Sequence, residues 1–295
     1  MRWIDCRIVA FDTETTGLNP HEEANRDRVM EFAAVELMVD EKLRVSGTKP
    51  HHFLIHPQMK IPSKSTQVTG ITDEDVKDAP PFAARAEEVR ALLSDAIIVA
   101  HNLPFDLAFL RMELEGAGTS WPRTRAEVDT LTLSQRRMSD QRVHKLAEVA
   151  RTLGVPLDNA HRATHDAEAC GRIFVEIARR FEAPQDLDGL IDWADAMGPP
   201  PDTGHLGIGS RGIPEFLEGP FRGSTVETHP DHLQWMTMAL ERVDGRWRNR
   251  YPESVQRWAR RWLRVRAAGR IRQSARGSSA QDWNIDPPTW PIASN

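Results

Sequence analysis

The residues in this chain best suited to chemistry are acids. Asp12 and Glu14 stand one residue apart in Phe11-Asp12-Thr13-Glu14-Thr15-Thr16-Gly17, directly after the apolar run Ile8-Val9-Ala10-Phe11. On a strand, alternate side chains share a face, so both carboxylates are expected to point the same way at the strand's end. Two carboxylates held together repel, and one keeps its proton unless a cation lies between them. Hard divalent ions take oxygen ligands of this kind. A lone Asp-x-Glu is more often a pair of solvated acids, so the reading depends on what else the chain supplies. His101-Asn102-Leu103-Pro104-Phe105-Asp106 puts a third acid in the first turn of a helix that follows an apolar strand, where ligands collect in an open α/β sheet. Alone, Asp106 would serve equally as a first-turn acid favouring the helix dipole. His161-Arg162-Ala163-Thr164-His165-Asp166-Ala167 puts Asp166 at the start of a long helix, four residues before Cys170 and seven before Ile173, hence on or beside its sheet-facing side. A carboxylate there needs a partner or a cation. His161 lies on the approach to that helix and titrates near neutral pH, although a lone loop histidine is commonly a solvated surface group.

The elements that must hold these groups follow from periodicity. Strand patterns over 8–11, 28–39 and around 52–55 predict a hairpin pair beside the first strand. Residues 68–73 read as a turn, with Gly70 free to take φ > 0. A helix is expected over 82–93. Residues 96–100 are fully apolar, the pattern of a strand buried on both faces. Pro104 suits the first turn of a helix running to about residue 115. Further helices are expected from Asp129, over 144–153, and over 161–181, the last with Ala169, Cys170, Ile173, Phe174 and Ile177 on a 3.6-residue period. A hairpin start followed by alternating helices and strands predicts an α/β fold, a mixed sheet flanked by helices.

Composition sets the outer limits. A chain of 295 residues predicts one to two domains, and 40% hydrophobic residues suffice for a core. No apolar run approaches the roughly 20 residues of a membrane span, and the charges in residues 1–7 do not suit a signal peptide. Cys6 and Cys170, the only two cysteines, exclude a four-cysteine zinc site and a disulfide framework; they read as reduced thiols of a cytoplasmic protein. The net charge of −5 is uneven: 24 basic and 34 acidic residues up to Gly204, against 14 basic, all arginine, and 9 acidic from His205. An acidic front and an Arg-rich back predict two modules, the second meeting a polyanion.

Taken together, in order and spacing, Phe-Asp-Thr-Glu-Thr-Thr-Gly-Leu at 11–18, Val-Thr-Gly-Ile-Thr at 68–72, Val-Ala-His-Asn-Leu-Pro-Phe-Asp at 99–106 and His-Arg-Ala-Thr-His-Asp-Ala at 161–167 resemble the DEDDh family of 3′→5′ exonucleases, which includes the proofreading epsilon subunit and exonuclease X. The resemblance spans about residues 7–182. It implies a ribonuclease-H-like fold and two divalent ions, Mg²⁺ or Mn²⁺, that stabilise the attacking and leaving oxygens of phosphodiester hydrolysis. On this resemblance Asp12, Glu14, Asp106 and Asp166 hold the ions, and His161 takes a proton from the attacking water. The family's spacing selects His161 over His165. The sister class needs a tyrosine near the last aspartate, and the only tyrosine is Tyr251, in the other module. The resemblance also implies that Thr13, Thr15, Val68 and Phe105 contact the terminal nucleotide. Thr69 stands where the family often has histidine. The implied substrate is nucleic acid with a free 3′ end, DNA in preference to RNA, with a polymerase or repair partner. An RNA 3′-end trimmer is the alternative on the same fold. A non-catalytic polymerase-associated or DNA-end-binding subunit is the alternative of another class, against which the full set of acids speaks.

The domain reading is a nuclease unit over 1–184, a short helix and Pro-rich linker over 185–204, and a small Arg- and Trp-rich module over 205–295 whose end is irregular. Within 242–276 there are 12 arginines against Asp244 and Glu253. A helix capped by Ser254 would place Val255, Trp258, Trp262 and Val265 on one face and Arg257, Arg260, Arg261 and Arg264 around the remainder. Arginine pairs with phosphate and aromatic rings stack on unpaired bases, so Arg257, Arg260 and Arg264 are candidate contacts to a nucleic-acid backbone. A solvated arginine face over core tryptophans is the equal alternative. Residues 216–236 are loosely similar to a glycine- and aromatic-rich segment that follows the nuclease domain in some exonuclease X-like proteins.

Overall fold

The strand that carries Asp12 and Glu14 is the middle one of a five-stranded mixed sheet. In the computed structural model, which describes residues 1–20, 26–157, 162–194, 196, 200–201, 203–209, 213–244 and 246–276 (265–276 by backbone alone), β1 (Arg7–Thr15) pairs antiparallel with β2 (Val29–Val39), and β2 pairs antiparallel with β3 (Val45–Leu54). On the other side β1 runs parallel to β4 (Ala96–Ala100), which runs parallel to β5 (Ala126–Asp129), giving the order β3-β2-β1-β4-β5. The helices of this part are α1 (Ser63–Thr69), α2 (Asp73–Val76), α3 (Ala86–Leu93), α4 (Leu103–Gly116), α5 (Thr130–Arg137), α6 (Leu146–Leu153), α7 (Ala163–Arg180) and α8 (Leu187–Ala194).

The period-2 alternation of β1 divides the core. Ile8 and Ala10 face α7, packing with Leu37, Ile97 and Val99 on Cys170, Ile173, Phe174 and Ile177. Val9 and Phe11 face the opposite side, packing with Phe32 and Ile98 on Val89 and Leu93 of α3 and Leu107 and Leu110 of α4. Every residue of β4 is buried, as its unbroken apolar run requires. Helix α7 approaches the sheet at Gly171, where a Cβ would lie 2.9 Å from the Cβ of Ala10 and 2.6 Å from a methyl of Leu37. That approach brings the start of α7 over the end of β1.

The structure redraws three boundaries. Val68 and Thr69 close α1 rather than forming a free turn: Gly70, at φ 74°, caps the helix and its N–H donates to Thr66 O at 2.8 Å. The helix expected over 82–93 divides into a 3₁₀ turn, Phe82–Ala84, and α3. The short helix expected within 185–204 is α8, and it packs into the nuclease core. Leu190, Ala194 and Ala196 join the cluster of Trp3 and Phe174, Leu187 N donates to Met1 O (2.9 Å), and Trp3 Nε1 donates to Pro184 O (3.0 Å).

Beyond it come β6 (Leu206–Ile208), β7 (Pro214–Phe216), α9 (Pro230–Met236), β8 (Leu240–Val243), β9 (Arg246–Asn249) and α10 (Glu253–Arg276). Leu206, Phe216, Leu233, Met236, Val255 and Trp258 form a separate apolar cluster. Trp258 is therefore a core residue. Ser254 lies inside α10, one residue past its start. Arg261, expected on the solvated face, is buried and paired with Asp192 of α8; Arg257 Nη1 lies 3.8 Å from the same carboxylate. The cleft beside this pair is lined by Asp95, Arg123 and Arg125, which flank the amino ends of β4 and β5. Helix α10 thus docks at the end of the sheet opposite Asp12 and Glu14. Among the described residues no helix is long and apolar enough to cross a membrane.

Candidate metal centre

Asp12 and Glu14 occupy alternate positions of β1 and share the α7 face of the sheet. Asp166 enters from the first turn of α7. One carboxylate oxygen from each of Asp12, Glu14 and Asp166 lies within 4.8 Å of the others, with Asp166 buried and the other two partly exposed. Asp106, buried in the first turn of α4, is anchored by the next residue of β1: its Oδ1 accepts from Thr13 N at 3.0 Å and from Thr13 Oγ1 at 2.7 Å. The start of α4 is set by Asn102, which takes the left-handed conformation at φ 75°, one that Asn tolerates better than most residues. Asp129 Oδ1 accepts from the N–H of Asn102 at 2.9 Å, and Asp129 also caps α5 through Leu131 N.

Burial and mutual repulsion dominate the electrostatics of this cluster. Burial, and then the charges of Asp106, Glu14, Asp166 and Glu31, hold the Asp12 carboxyl well above the usual carboxylate range. Burial, followed by Glu31, Asp166 and Asp106, pushes Glu14 up to about 8. Burial pushes Asp106 up to about 7 against the pull of the two Thr13 hydrogen bonds. Oxygen-only donors, partly open to solvent, suit a hard divalent ion rather than zinc or copper. Binding such an ion replaces mutual repulsion by attraction.

The other expected site residues divide. Thr13 is buried, and both its N–H and its hydroxyl are taken by Asp106. Thr15 is buried at the strand end and its hydroxyl donates to Gly17 O at 2.6 Å. Val68 is 57% exposed on α1. That helix is tied to the strand end by Ser65 Oγ donating to Thr16 O. Phe105 is partly buried against Phe109, their ring centroids 5.0 Å apart. Gly17 admits the Asp27 carboxylate, which a Cβ would meet at 2.3 Å. His161 lies outside the described residues. His165 is exposed on α7. Arg257, Arg260 and Arg264 are exposed on α10 and are not gathered around the acids. Arg260 Nη1 donates to Thr237 O at 3.3 Å, within its own module.

Sequence reasoning passed over Glu31. It is 2% exposed, sits directly opposite Glu14 in the β1–β2 ladder, and lies 2.6 Å from His52 Nε2 through Oε1. The available signal was a single acid inside the otherwise apolar run Val29-Met30-Glu31-Phe32-Ala33-Ala34-Val35. A buried strand admits such an acid only with a compensating partner.

The family model described as Exonuclease matches residues 9–174. Among curated proteins, the chain is 38% identical over 175 residues to the 3′-5′ exonuclease DinG of Bacillus subtilis, a match covering 59% of this chain and 18% of that protein. It is 32% identical over 182 residues to the PolC-type DNA polymerase III of Staphylococcus epidermidis, covering 60% of this chain and 12% of that one. The chain therefore spans less than a fifth of the length of these relatives. Among solved structures, a 3′-exonuclease described as recognising the 3′ end of a histone mRNA stem-loop shares the fold, with TM-score 0.51, 16% identity and coverage of 74% of this chain and 73% of that one. With the carboxylates of β1, α4 and α7 inside the matched stretch, and that stretch covering more than half of its residues, the chain belongs to the Exonuclease family.

Proposed function

We propose that the protein is a metal-dependent 3′→5′ exonuclease that removes nucleoside 5′-monophosphates from the 3′ end of DNA. The observation that carries this reading is the convergence of Asp12, Glu14 and Asp166 within 4.8 Å, at the sheet end where Asp106 is also held. Two Mg²⁺ or Mn²⁺ ions, when bound, would polarise the scissile phosphate and stabilise the charge that develops on the attacking and leaving oxygens. Asp12, Glu14 and Asp166 would supply the oxygens that hold these ions. Asp106, turned toward Thr13, acts at longer range. His161, five residues before Asp166, would take the proton of the attacking water. The exposed Val68 and partly exposed Phe105 would frame the terminal base and sugar, and the backbone around Thr15 its 3′ end.

Within this reading residues 1–184 form the nuclease unit, α8 is joined to it, and 205–295 form a small accessory module. The anchoring of Arg257 and Arg261 at Asp192 supports a docking role for part of α10, and the exposed Arg260 and Arg264 are the candidates for phosphate. A polymerase or repair complex is the setting that fits such a nuclease, and two thiols distant in sequence fit a reducing, cytoplasmic compartment. The reading is tested by incubating matched single-stranded DNA, duplex DNA and RNA with the full chain in Mg²⁺, in Mn²⁺ and in EDTA. Metal-dependent release of mononucleotides, faster from DNA, is expected. Faster release from RNA overturns the substrate assignment, and activity in EDTA overturns the metal mechanism.

A further inference from the structure

Glu31 has a second oxygen to account for. Oε1 lies 2.6 Å from His52 Nε2, but Oε2 is buried with no hydrogen-bond partner. A buried polar atom in this state calls for an explanation, of which a water or an ion is one. The β1–β2 register puts Glu31 directly across from Glu14, and residues so paired project from the same face of the sheet. The unpartnered oxygen is thus on the side where Asp12, Glu14 and Asp166 gather.

The same two strands contain a built-in comparison. Five residues along β2, Glu36 lies 3.0 Å from His51, and by parity it faces the other side of the sheet. Glu36 is further neutralised by Arg7 at 3.4 Å and Lys49 at 3.6 Å, and its side chain is 25% exposed, against 3% for Glu31. Glu36 and His51 belong to a surface ion-pair group. Glu31 is the buried member of its pair, against a His52 side chain that is 41% exposed, and its charge adds to the repulsion at Asp12 and Glu14.

We propose that Glu31, held by His52, is a positioning residue of the metal centre. Its unpartnered oxygen receives a hydrogen bond from the hydration shell of the bound divalent ion, and its charge strengthens the pull on that ion. This rests on the metal-dependent reading above. A carboxylate kept for this purpose works against the empty protein, because it repels Asp12 and Glu14, and in favour of the loaded one. Glu31→Gln should therefore have opposite effects on the two states, which no purely structural role produces.

The test uses the full chain and Mn²⁺ titrated calorimetrically, with thermal unfolding followed in EDTA. Glu31→Gln is expected to weaken Mn²⁺ binding by ~10–100-fold, the usual effect of removing such an outer partner, and to raise the melting temperature in EDTA. His52→Ala should weaken Mn²⁺ in the same direction, with His52→Gln restoring part of the loss, and Glu36→Gln should leave the affinity unchanged. Should Glu31→Gln not fold, the His52 pair decides alone: Mn²⁺ affinity unaltered in His52→Ala overturns the proposal. So does a Glu31→Gln protein that binds Mn²⁺ like the wild type, or one that loses the same stability with and without metal. Failure of the wild type to bind Mn²⁺ would instead overturn the metal reading on which the proposal stands.

Discussion

Glu14 offers the most quantitative test of the anion pocket. Its carboxyl has an ordinary value of 4.5 and is pushed up to about 8 in the folded, metal-free protein. The folded state therefore holds this proton over a pH range in which the unfolded chain has released it. Below the unfolded value the group has no effect on stability. As pH rises toward the folded value the unfolded state gains progressively, and above it the whole penalty is present. At about pH 7.5, three units above the unfolded value, the penalty at 1.36 kcal/mol per unit is a ceiling of about 4 kcal/mol. Near pH 5 it is under about 1 kcal/mol. Glu14→Gln removes the titration while keeping the shape. In EDTA the variant should be more stable than the wild type by up to about 4 kcal/mol at about pH 7.5, and nearly equal to it near pH 5. Urea unfolding at the two pH values measures the difference. In Mn²⁺ the order should reverse, because the variant has lost a ligand. A stability gain of the same size at both pH values, or none at the higher one, would refute the claim that buried carboxylate repulsion defines this site.

Other consequences can be checked with single variants. Asp166→Ala should abolish hydrolysis while the protein stays folded, as judged by unchanged circular dichroism, since removing a buried like charge costs little in the absence of metal. His161→Ala should lower kcat by ~10²–10⁴ and His165→Ala much less; the reverse order would shift the general base to the helix. Gly171→Ala should cost about 1–3 kcal/mol in thermal or urea unfolding, because the added carbon meets Ala10 and Leu37 under 3 Å. Charge reversal at Arg260 and Arg264, which spares the Arg257 and Arg261 contacts to Asp192, should flatten the salt dependence of single-strand binding measured in Ca²⁺ if these side chains hold phosphates. An unchanged slope assigns them to docking and to solvent.

Much of this architecture is written in local patterns, and the limits are equally local. The apolar run at 96–100 has the pattern of a strand buried on both faces, and it is β4 with every residue buried. The alternation around Asp12 and Glu14 required a shared face, and the strand supplies it. The helix ending at Thr69 was hidden because Ser63-Lys64-Ser65-Thr66-Gln67-Val68-Thr69 has no apolar stripe. The helix is closed by Gly70 and fastened through Ser65 to β1, contacts that only the tertiary structure reveals. Glu31 and His52 are 21 positions apart and meet through the β2–β3 register. No spacing rule within either strand links them. Arg261 looked like its exposed neighbours because its partner, Asp192, lies 69 positions away. Charge patterning along one helix says where arginines face solvent in isolation, but not which of them a second module will cover.

The central claim, that the acids at the end of β1 direct metal-dependent removal of nucleotides from a 3′ end, is tested most directly on one DNA oligonucleotide labelled at its 5′ end and again at its 3′ end. With Mg²⁺ or Mn²⁺, the wild type should shorten the 5′-labelled strand one nucleotide at a time and release the 3′ label at once as a mononucleotide, whereas Asp12→Asn should leave both strands intact. Loss of the 5′ label first, internal cleavage of both strands, or undiminished activity in Asp12→Asn would contradict the account.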